Sequence, residues 1–264
     1  MEFNRVSLDI DENVATLTFN DPEVLNAIGP AMLSGLNDAL RFVQSPANRV
    51  RCLMITGAGR GFCSGANLAG DGSGSGENEG NAGSSLRSGY HPLLLSLRDL
   101  DIPIVTAVNG AAAGVGMSFA LIGDIVCASK NAFFLQAFAN VGLVPDGGAT
   151  FMLPRLIGWS RAVELSLLAE RLPAEQALDW GLINRVYDDN DALMAGAGEI
   201  ARKLAAGPKS LGMIRKMYWD TWHNAYEQQL DLEARMQTSA GASQDSAEGR
   251  AAFLEKRKPD FKGA

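Results

Sequence analysis

Hydrophobic and polar positions alternate near the start of the chain and then change to a helical period. Residues 6–10 and 14–19 alternate apolar with polar side chains around the polar residues 11–13, which predicts a β-hairpin. Apolar residues then recur every three or four positions over 30–42, a pattern typical of an amphipathic helix. The chain is therefore expected to begin with a hairpin and a helix.

Short apolar runs and helical periods alternate through the next part of the chain. The runs over 50–56, 104–108 and 124–128 predict buried strands. Helices are predicted near 92–100 and 115–122. Strands that alternate with helices favour an α/β fold with parallel pairing.

The later part of the chain is mostly helical. A helix is predicted over 191–206 and a longer helical pattern over 211–225, so the chain divides into an α/β core at 1–190 and a C-terminal helical region at 191–264. Glycine and serine dominate residues 70–89, which predicts a mobile loop within the core.

Charge and cysteine usage exclude several classes of protein. The 264 residues carry 23 basic and 30 acidic side chains, a net charge of −7 without a basic face, so no nucleic-acid partner is expected. Cys52, Cys63 and Cys127 lack zinc-site spacing, and the odd count favours a reducing, cytoplasmic location. Residues 102–123 carry no charge, but their proline and glycines favour a buried strand–turn–helix over a membrane span.

Metal, hydrolase and nucleotide motifs are absent from the sequence. The two histidines, His91 and His223, have no ligand partners at useful spacing, so no metal is expected. There is no nucleophile elbow of the type GxSxG, no GxGxxG and no phosphate-binding GxxxxGK[ST]. No separate cofactor is therefore expected.

Three glycine-containing turns remain as candidate chemistry. Residues 61–68 and 109–116 each follow a predicted strand, and their small side chains would let two backbone N–H groups converge as an oxyanion hole. Both segments are also compatible with ordinary tight turns. In the third turn, Asp146 either caps the next helix or, beside apolar residues, is desolvated into a better base.

Several segments together resemble the enoyl-CoA hydratase/isomerase (crotonase) superfamily over nearly the whole chain. The matching segments are Asp21-Pro22-Glu23-Val24-Leu25-Asn26-Ala27, residues 56–68, Ala107-Val108-Asn109-Gly110, Gly123-Asp124-Ile125, and Ala174-Glu175-Gln176-Ala177 with Trp180-Gly181-Leu182. The resemblance implies a crotonase-like ββα spiral core, a C-terminal helical trimerisation region, and a homotrimer or dimer of trimers. The substrate would be an acyl-CoA, with coenzyme A as part of that substrate.

The resemblance also implies roles for particular residues. The backbone N–H groups of Ala66 and Val115 would form the oxyanion hole, although the family usually has glycine where Val115 stands, so its Cβ is expected to narrow the pocket. Coenzyme A would lie along Ala66, Asn67 and Leu68. The two glutamates of the hydratases correspond to Ser118 and Phe138, so ordinary hydration is disfavoured.

Asp146 instead matches the single catalytic aspartate of the branch similar to 1,2-epoxyphenylacetyl-CoA isomerase and to Δ3,Δ2-enoyl-CoA isomerases. The implied activity is conversion of a 3-enoyl-CoA to a 2-enoyl-CoA, or rearrangement of ring-1,2-epoxyphenylacetyl-CoA, in fatty acid or phenylacetate degradation. Three alternatives stay open: a hydratase-like enzyme, an enzyme with Asp146 as nucleophile beside His91, and a non-catalytic CoA-binding protein.

Overall fold

The computed structural model describes residues 1–68 and 82–264. The strands are β1 Glu2–Phe3, β2 Val6–Asp11, β3 Val14–Phe19, β4 Cys52–Gly57, β5 Gly61–Cys63, β6 Ile104–Val108, β7 Ala111–Ala113, β8 Ile125–Ser129, β9 Phe133–Leu135, β10 Leu172–Pro173 and β11 Arg185–Tyr187. The helices are α1 Pro30–Gln44, α2 Ala82–Ser85, α3 His91–Arg98, α4 Val115–Leu121, α5 Ala149–Ile157, α6 Trp159–Leu168, α7 Ala174–Asp179, α8 Asn190–Ala205, α9 Ser210–Thr221, α10 Tyr226–Gly241 and α11 Gln244–Glu255.

The strands form two sheets that the chain visits in turn. One sheet has the order β1-β2-β3-β4-β6-β8-β11, and the other has the order β10-β9-β7-β5. Three successive segments, β4–β5, β6–β7 and β8–β9, each give their first strand to the large sheet and their second strand to the small sheet. Within each sheet these three strands pair in parallel. This repeated exchange confirms the predicted α/β spiral core.

An aromatic cluster holds the two sheets and α4 together. The ring of Phe19 in β3 packs edge-on against Phe62 in β5, with the ring centroids 5.3 Å apart. It also packs against Phe119 in α4, at 5.8 Å. All three side chains are fully buried, and edge-to-face pairs of this kind add to the burial of apolar area. The first turn of α4 is thereby fixed relative to both sheets.

The C-terminal helices join the core through apolar packing and one ion pair, in which Arg215 is buried. Helix α8 covers the face of the large sheet formed by β4, β6 and β8. Arg215 of α9 donates to Asp124 at 2.8 Å, and its other nitrogens bond the carbonyls of Leu97 and Leu100 at 3.0 and 3.1 Å. Since these carbonyls close the end of α3, α9 and the core share one hydrogen-bond network.

Most predicted elements are present, and several differ. The short strands β5 and β7 occupy part of the two predicted glycine turns, at 61–68 and 109–116. The predicted loop over 70–89 falls partly on residues outside the described part of the chain, but 82–89 are helical, because Leu86 and Tyr90 pack into the core. The helical pattern over 211–225 is divided, since α9 ends at Thr221 and α10 begins at Tyr226.

The uncharged segment 102–123 folds as β6, β7 and α4. In the described part of the chain, no helix combines the length and apolar character that crossing a membrane requires.

Candidate active site

The first glycine turn is held by strand-like pairing with the segment before α1. The N–H of Ile28 donates to the Gly65 carbonyl at 2.7 Å, and the N–H of Asn67 donates to the Ile28 carbonyl at 3.0 Å. In a parallel bridge of this kind, the N–H of the intervening Ala66 points to the opposite side. No described residue accepts a hydrogen bond from that N–H.

Two buried asparagines anchor the chain that leads into this turn. The side-chain amide of Asn26 donates to the Gly61 carbonyl at 2.8 Å and accepts from the Asp21 N–H at 2.9 Å. Asn109 also donates to the Gly61 carbonyl, at 3.3 Å, and accepts from the Gly57 N–H at 3.2 Å. A side-chain amide donates and accepts at once, so each asparagine joins two chain segments that no strand pairing connects.

The second glycine turn precedes α4 and presents another unpaired N–H. Gly114 has a φ of 54°, a conformation that favours glycine, and its N–H donates to the Leu135 carbonyl at 2.9 Å. Val115 is the first residue of α4, where an N–H has no partner within the helix. None of the described residues accepts from the Val115 N–H.

The two turns touch each other. A Cβ placed on Gly65 would lie 2.9 Å from the Ala113 carbonyl oxygen and 3.7 Å from the Cα of Gly114. No side chain fits at Gly65, so the backbones approach closely. Ala66 and Val115 directly follow the two touching glycines, and this arrangement suits a pair of N–H donors for one carbonyl oxygen.

Asp146 lies in a turn packed against the first turns of α4. Its carbonyl oxygen accepts from the Ala149 N–H at 3.0 Å and from the Ser118 hydroxyl at 3.4 Å. A Cβ on Gly147 would lie 3.1 Å from Cγ2 of Val115. The N-cap of α5 is Gly148, and no side chain caps the helix, so the capping interpretation of Asp146 is wrong.

The carboxyl of Asp146 is an acid with a perturbed pKa. Its Oδ1 atom is buried and has no hydrogen-bond partner in the described structure. Burial raises the pKa of Asp146 to about 6, although the nearby His91 imidazole opposes part of this rise. A carboxyl with this pKa can both take and return a proton near neutral pH.

The positions of the two hydratase glutamates face this site. The Ser118 hydroxyl contacts the Asp146 carbonyl, and Cζ of Phe138 lies 3.7 Å from where a Cβ of Gly114 would be. Neither side chain can ionise. Val115 is 2% exposed and directs Cγ2 towards Gly147, so its side chain packs against the Asp146 turn.

The remaining predicted residues lie at the edges of the site. Asn67 and Leu68 continue from the Ala66 turn, and Leu68 is 66% exposed, as a surface that receives a large ligand would be. His91 is exposed at the start of α3, whereas His223 stacks on Phe151 with ring centroids 5.4 Å apart. In residues 1–68 and 82–264, no group of His, Cys, Asp and Glu is placed to hold a metal ion.

Sequence reasoning missed Tyr90. Its hydroxyl donates to the Ile28 carbonyl at 2.9 Å, behind the Ala66 turn. Nothing in the local sequence pairs residues 28 and 90. A groove of about 1160 Å³, which the motifs did not indicate either, lies by the opposite ends of β4 and β6 and is lined by charges of both signs.

Known proteins share both the sequence and the fold of this chain. Residues 9–264 match the family model described as enoyl-CoA hydratase/isomerase. The chain is 43% identical to 1,2-epoxyphenylacetyl-CoA isomerase of Escherichia coli K12, over 100% of this chain and 99% of that protein. It is 41% identical, over 100% of both chains, to a Rhodobacter capsulatus protein named "Probable enoyl-CoA hydratase".

A solved structure gives the same answer for the fold. The crystal structure of an enoyl-CoA hydratase from Polaromonas sp. JS666 matches with a TM-score of 0.87 and 33% identity, over 97% of this chain and 99% of that one. The full-length matches, together with the two touching glycine turns and the carboxyl beside them, agree with the resemblance of the motifs. The chain belongs to the enoyl-CoA hydratase/isomerase family of acyl-CoA enzymes.

Proposed function

We propose that this enzyme is an acyl-CoA isomerase that moves a double bond from a 3-enoyl-CoA to a 2-enoyl-CoA. One observation carries the proposal: Asp146 places a single half-buried carboxyl beside the Ala66 and Val115 turns, while Ser118 and Phe138 supply no carboxylate. One carboxyl suffices to shuttle a proton, whereas hydration also needs a group that positions and activates water.

In the proposed reaction, the thioester carbonyl oxygen accepts hydrogen bonds from the N–H groups of Ala66 and Val115. Asp146 removes a proton from carbon 2, and the two N–H groups stabilise the dienolate. The protonated carboxyl then returns the proton to carbon 4, which leaves the double bond between carbons 2 and 3. The coenzyme A portion lies along Ala66, Asn67 and Leu68, and no metal takes part.

The E. coli relative supports a related substrate, ring-1,2-epoxyphenylacetyl-CoA. In that rearrangement Asp146 would assist opening of the epoxide ring, and the same N–H pair would hold the thioester oxygen. The position of the Asp146 carboxyl, partly shielded from water, suits either substrate. Both reactions need a group that carries a proton without exchanging it with bulk water.

Two other activities have an observation in their favour. A relative of equal length bears a hydratase name, which favours hydration of a 2-enoyl-CoA. The charge interaction between His91 and Asp146 favours a reaction in which Asp146 attacks the acyl group or its ring as a nucleophile. A covalent ester on Asp146 during turnover would identify that second chemistry.

The test compares isomerisation of a 3-enoyl-CoA with hydration of a 2-enoyl-CoA in wild type and in Asp146→Asn. Isomerisation is expected to fall about 10²- to 10⁴-fold, because the proton carrier is lost. Asp11→Asn, which changes an exposed carboxyl on the hairpin, serves as the matched control and retains wild-type rates. Hydration that exceeds isomerisation and survives in Asp146→Asn would refute the isomerase assignment.

The proposed assembly is a homotrimer or a dimer of trimers, and the proposed location is the cytoplasm. Large apolar side chains exposed on the C-terminal helices support the assembly: Ile214, Tyr218, Tyr226, Leu230, Phe253 and Leu254. Three buried cysteines without disulfides suit a reducing compartment. Light scattering of the purified protein measures the oligomer directly.

A further inference from the structure

Tyr90 places a polar group inside the apolar core, directly behind the first glycine turn. It ends a turn of π-helix, residues 86–90, that leads into α3. Its side chain belongs to the main core, yet its hydroxyl donates to the Ile28 carbonyl at 2.9 Å. Because a buried hydroxyl needs a partner, this bond fixes the ring and the Ile28 peptide relative to each other.

Ile28 also determines where the Ala66 N–H points, because it pairs with residues 65–67 through both its N–H and its carbonyl. Its carbonyl also accepts from the Asn67 N–H at 3.0 Å, and its N–H donates to the Gly65 carbonyl at 2.7 Å. A carbonyl oxygen has two lone pairs, so the bonds from Tyr90 and Asn67 can form together. The two backbone bonds bracket Ala66, and a displacement of Ile28 would turn the Ala66 peptide with it.

The Tyr90 hydroxyl is a hydrogen-bond donor near neutral pH. Burial, the Cys63 thiol and the Asp146 carboxyl all raise the pKa of Tyr90 above the usual tyrosine range. The hydroxyl is therefore protonated near neutral pH. Its proton is already committed to Ile28, so Tyr90 does not act as a second proton carrier.

On the basis of the proposed function, we infer that Tyr90 is a positioning residue of the oxyanion hole. Its hydroxyl holds the Ile28 carbonyl, and the pairing of Ile28 with residues 65–67 aims the Ala66 N–H at the thioester oxygen. Tyr90 itself touches neither the thioester nor the transferred proton. Tyr90 contributes to the rate when negative charge develops on the thioester oxygen, because an N–H donor stabilises an enolate only when it points at that oxygen.

The kinetic test uses Tyr90→Phe, which removes one oxygen atom and keeps the buried ring. The kcat for isomerisation is expected to fall about two- to tenfold, the effect of one typical hydrogen bond, with KM changed less than twofold. The matched control is Thr106→Val, which removes another buried hydroxyl bonded to a carbonyl, that of Ala120 at 2.8 Å. The control is expected to lose similar stability and to keep wild-type kcat.

A spectroscopic test separates positioning from a general structural role. The probe is 4-dimethylaminocinnamoyl-CoA, whose absorption moves to longer wavelength when its thioester carbonyl is polarised. Tyr90→Phe is expected to show a smaller red shift than wild type, and Thr106→Val is expected to show the full shift. A full red shift in Tyr90→Phe, or none in the wild type, would overturn the inference.

These readouts distinguish this inference from the proposed function. A wild-type enzyme that does not isomerise 3-enoyl-CoA refutes the proposed function, while the red shift still tests Tyr90, because binding alone produces it. If Tyr90→Phe does not fold, replacement of Tyr90 by 3-fluorotyrosine keeps the ring and makes the hydroxyl a stronger donor. That protein is expected to show at least the wild-type red shift, and a smaller shift would contradict the inference.

Discussion

Asp146 is half-buried and Asp245 is buried, and the chain surrounds the two carboxyls in opposite ways. Asp245, at the start of α11, is 2% exposed. Its oxygens accept from four backbone N–H groups, those of Lys209 at 2.8 Å, Lys262 at 2.7 Å, Gly263 at 2.9 Å and Ala264 at 3.2 Å. Asp146, by contrast, has an oxygen for which the described structure supplies no donor.

This difference in donors moves the two pKa values in opposite directions. Burial raises the pKa of Asp146 to about 6, and among the described residues the His91 imidazole opposes part of this rise. Burial also acts to raise the pKa of Asp245, but the backbone donors outweigh it and lower the pKa below its usual range. One carboxyl is therefore fixed as a structural anion, and the other can exchange a proton near neutral pH.

The largest expected effect comes from Asp146→Asn. Isomerisation should fall about 10²- to 10⁴-fold. The free energy of unfolding should stay the same or rise, because a neutral amide is less costly to bury than a carboxylate without donors. Urea unfolding and isomerase assays on the same preparation check both statements. A variant that lost stability in step with activity would show that Asp146 is structural.

Asp245→Ala should give the opposite result. Four backbone N–H groups lose their acceptor, so the free energy of unfolding should fall by about 2–4 kcal/mol. The kcat of the folded fraction should remain within about twofold of wild type. The control is Asp260→Ala in the same tail, where the carboxyl is exposed and pairs only with Lys262. Thermal unfolding of both variants compares their stabilities, and equal losses in the two would contradict the anchoring role of Asp245.

The pH dependence separates the two carboxyls within the wild-type protein. Asp146 acts as a base, so kcat/KM should fall about tenfold per unit below its pKa, which is about 6. Its raised pKa favours folding fully below its ordinary value of 3.8, and this contribution is lost as the pH rises to about 6.

Asp245 has the reverse linkage. Its stabilising contribution is present above the ordinary value of 3.8 and is lost as the pH falls through its lowered pKa. Unfolding free energies of wild type, Asp146→Asn and Asp245→Asn between about pH 3 and 7 isolate the two contributions. Profiles of the two variants that deviate from wild type in the same direction would contradict the assignment.

The smallest expected effect comes from Ser118→Ala. The Ser118 hydroxyl reaches the Asp146 carbonyl at 3.4 Å, and Ala149 still holds that oxygen after the change. The rate of isomerisation should therefore fall less than about threefold. A much larger loss in kcat would mean that Ser118 acts on the substrate.

Local patterns accounted for many of the elements that carry the site. Strand β6 and α4 follow from an apolar run and a helical period within twenty residues, whereas the short strand β7 between them was predicted as a turn. The same local patterns gave no support for 82–90 as helix, because glycine and serine dominate the sequence before it. Packing of Leu86 and Tyr90 in the core overrode those weak helix formers.

The sequence by itself determined the α/β class, the family and the candidate residues Ala66, Val115 and Asp146. The class depends on periodicity, and the family and the candidate residues depend on the resemblance of short motifs; periodicity and motifs are both local. Only the tertiary structure decided that the described residues give Oδ1 of Asp146 no donor, that Asp245 has four, and that Tyr90 holds Ile28. The Tyr90 contact spans 62 residues and the Lys209–Asp245 contact spans 36. Burial and hydrogen bonding at such separations depend on how the elements pack, which no local pattern specifies.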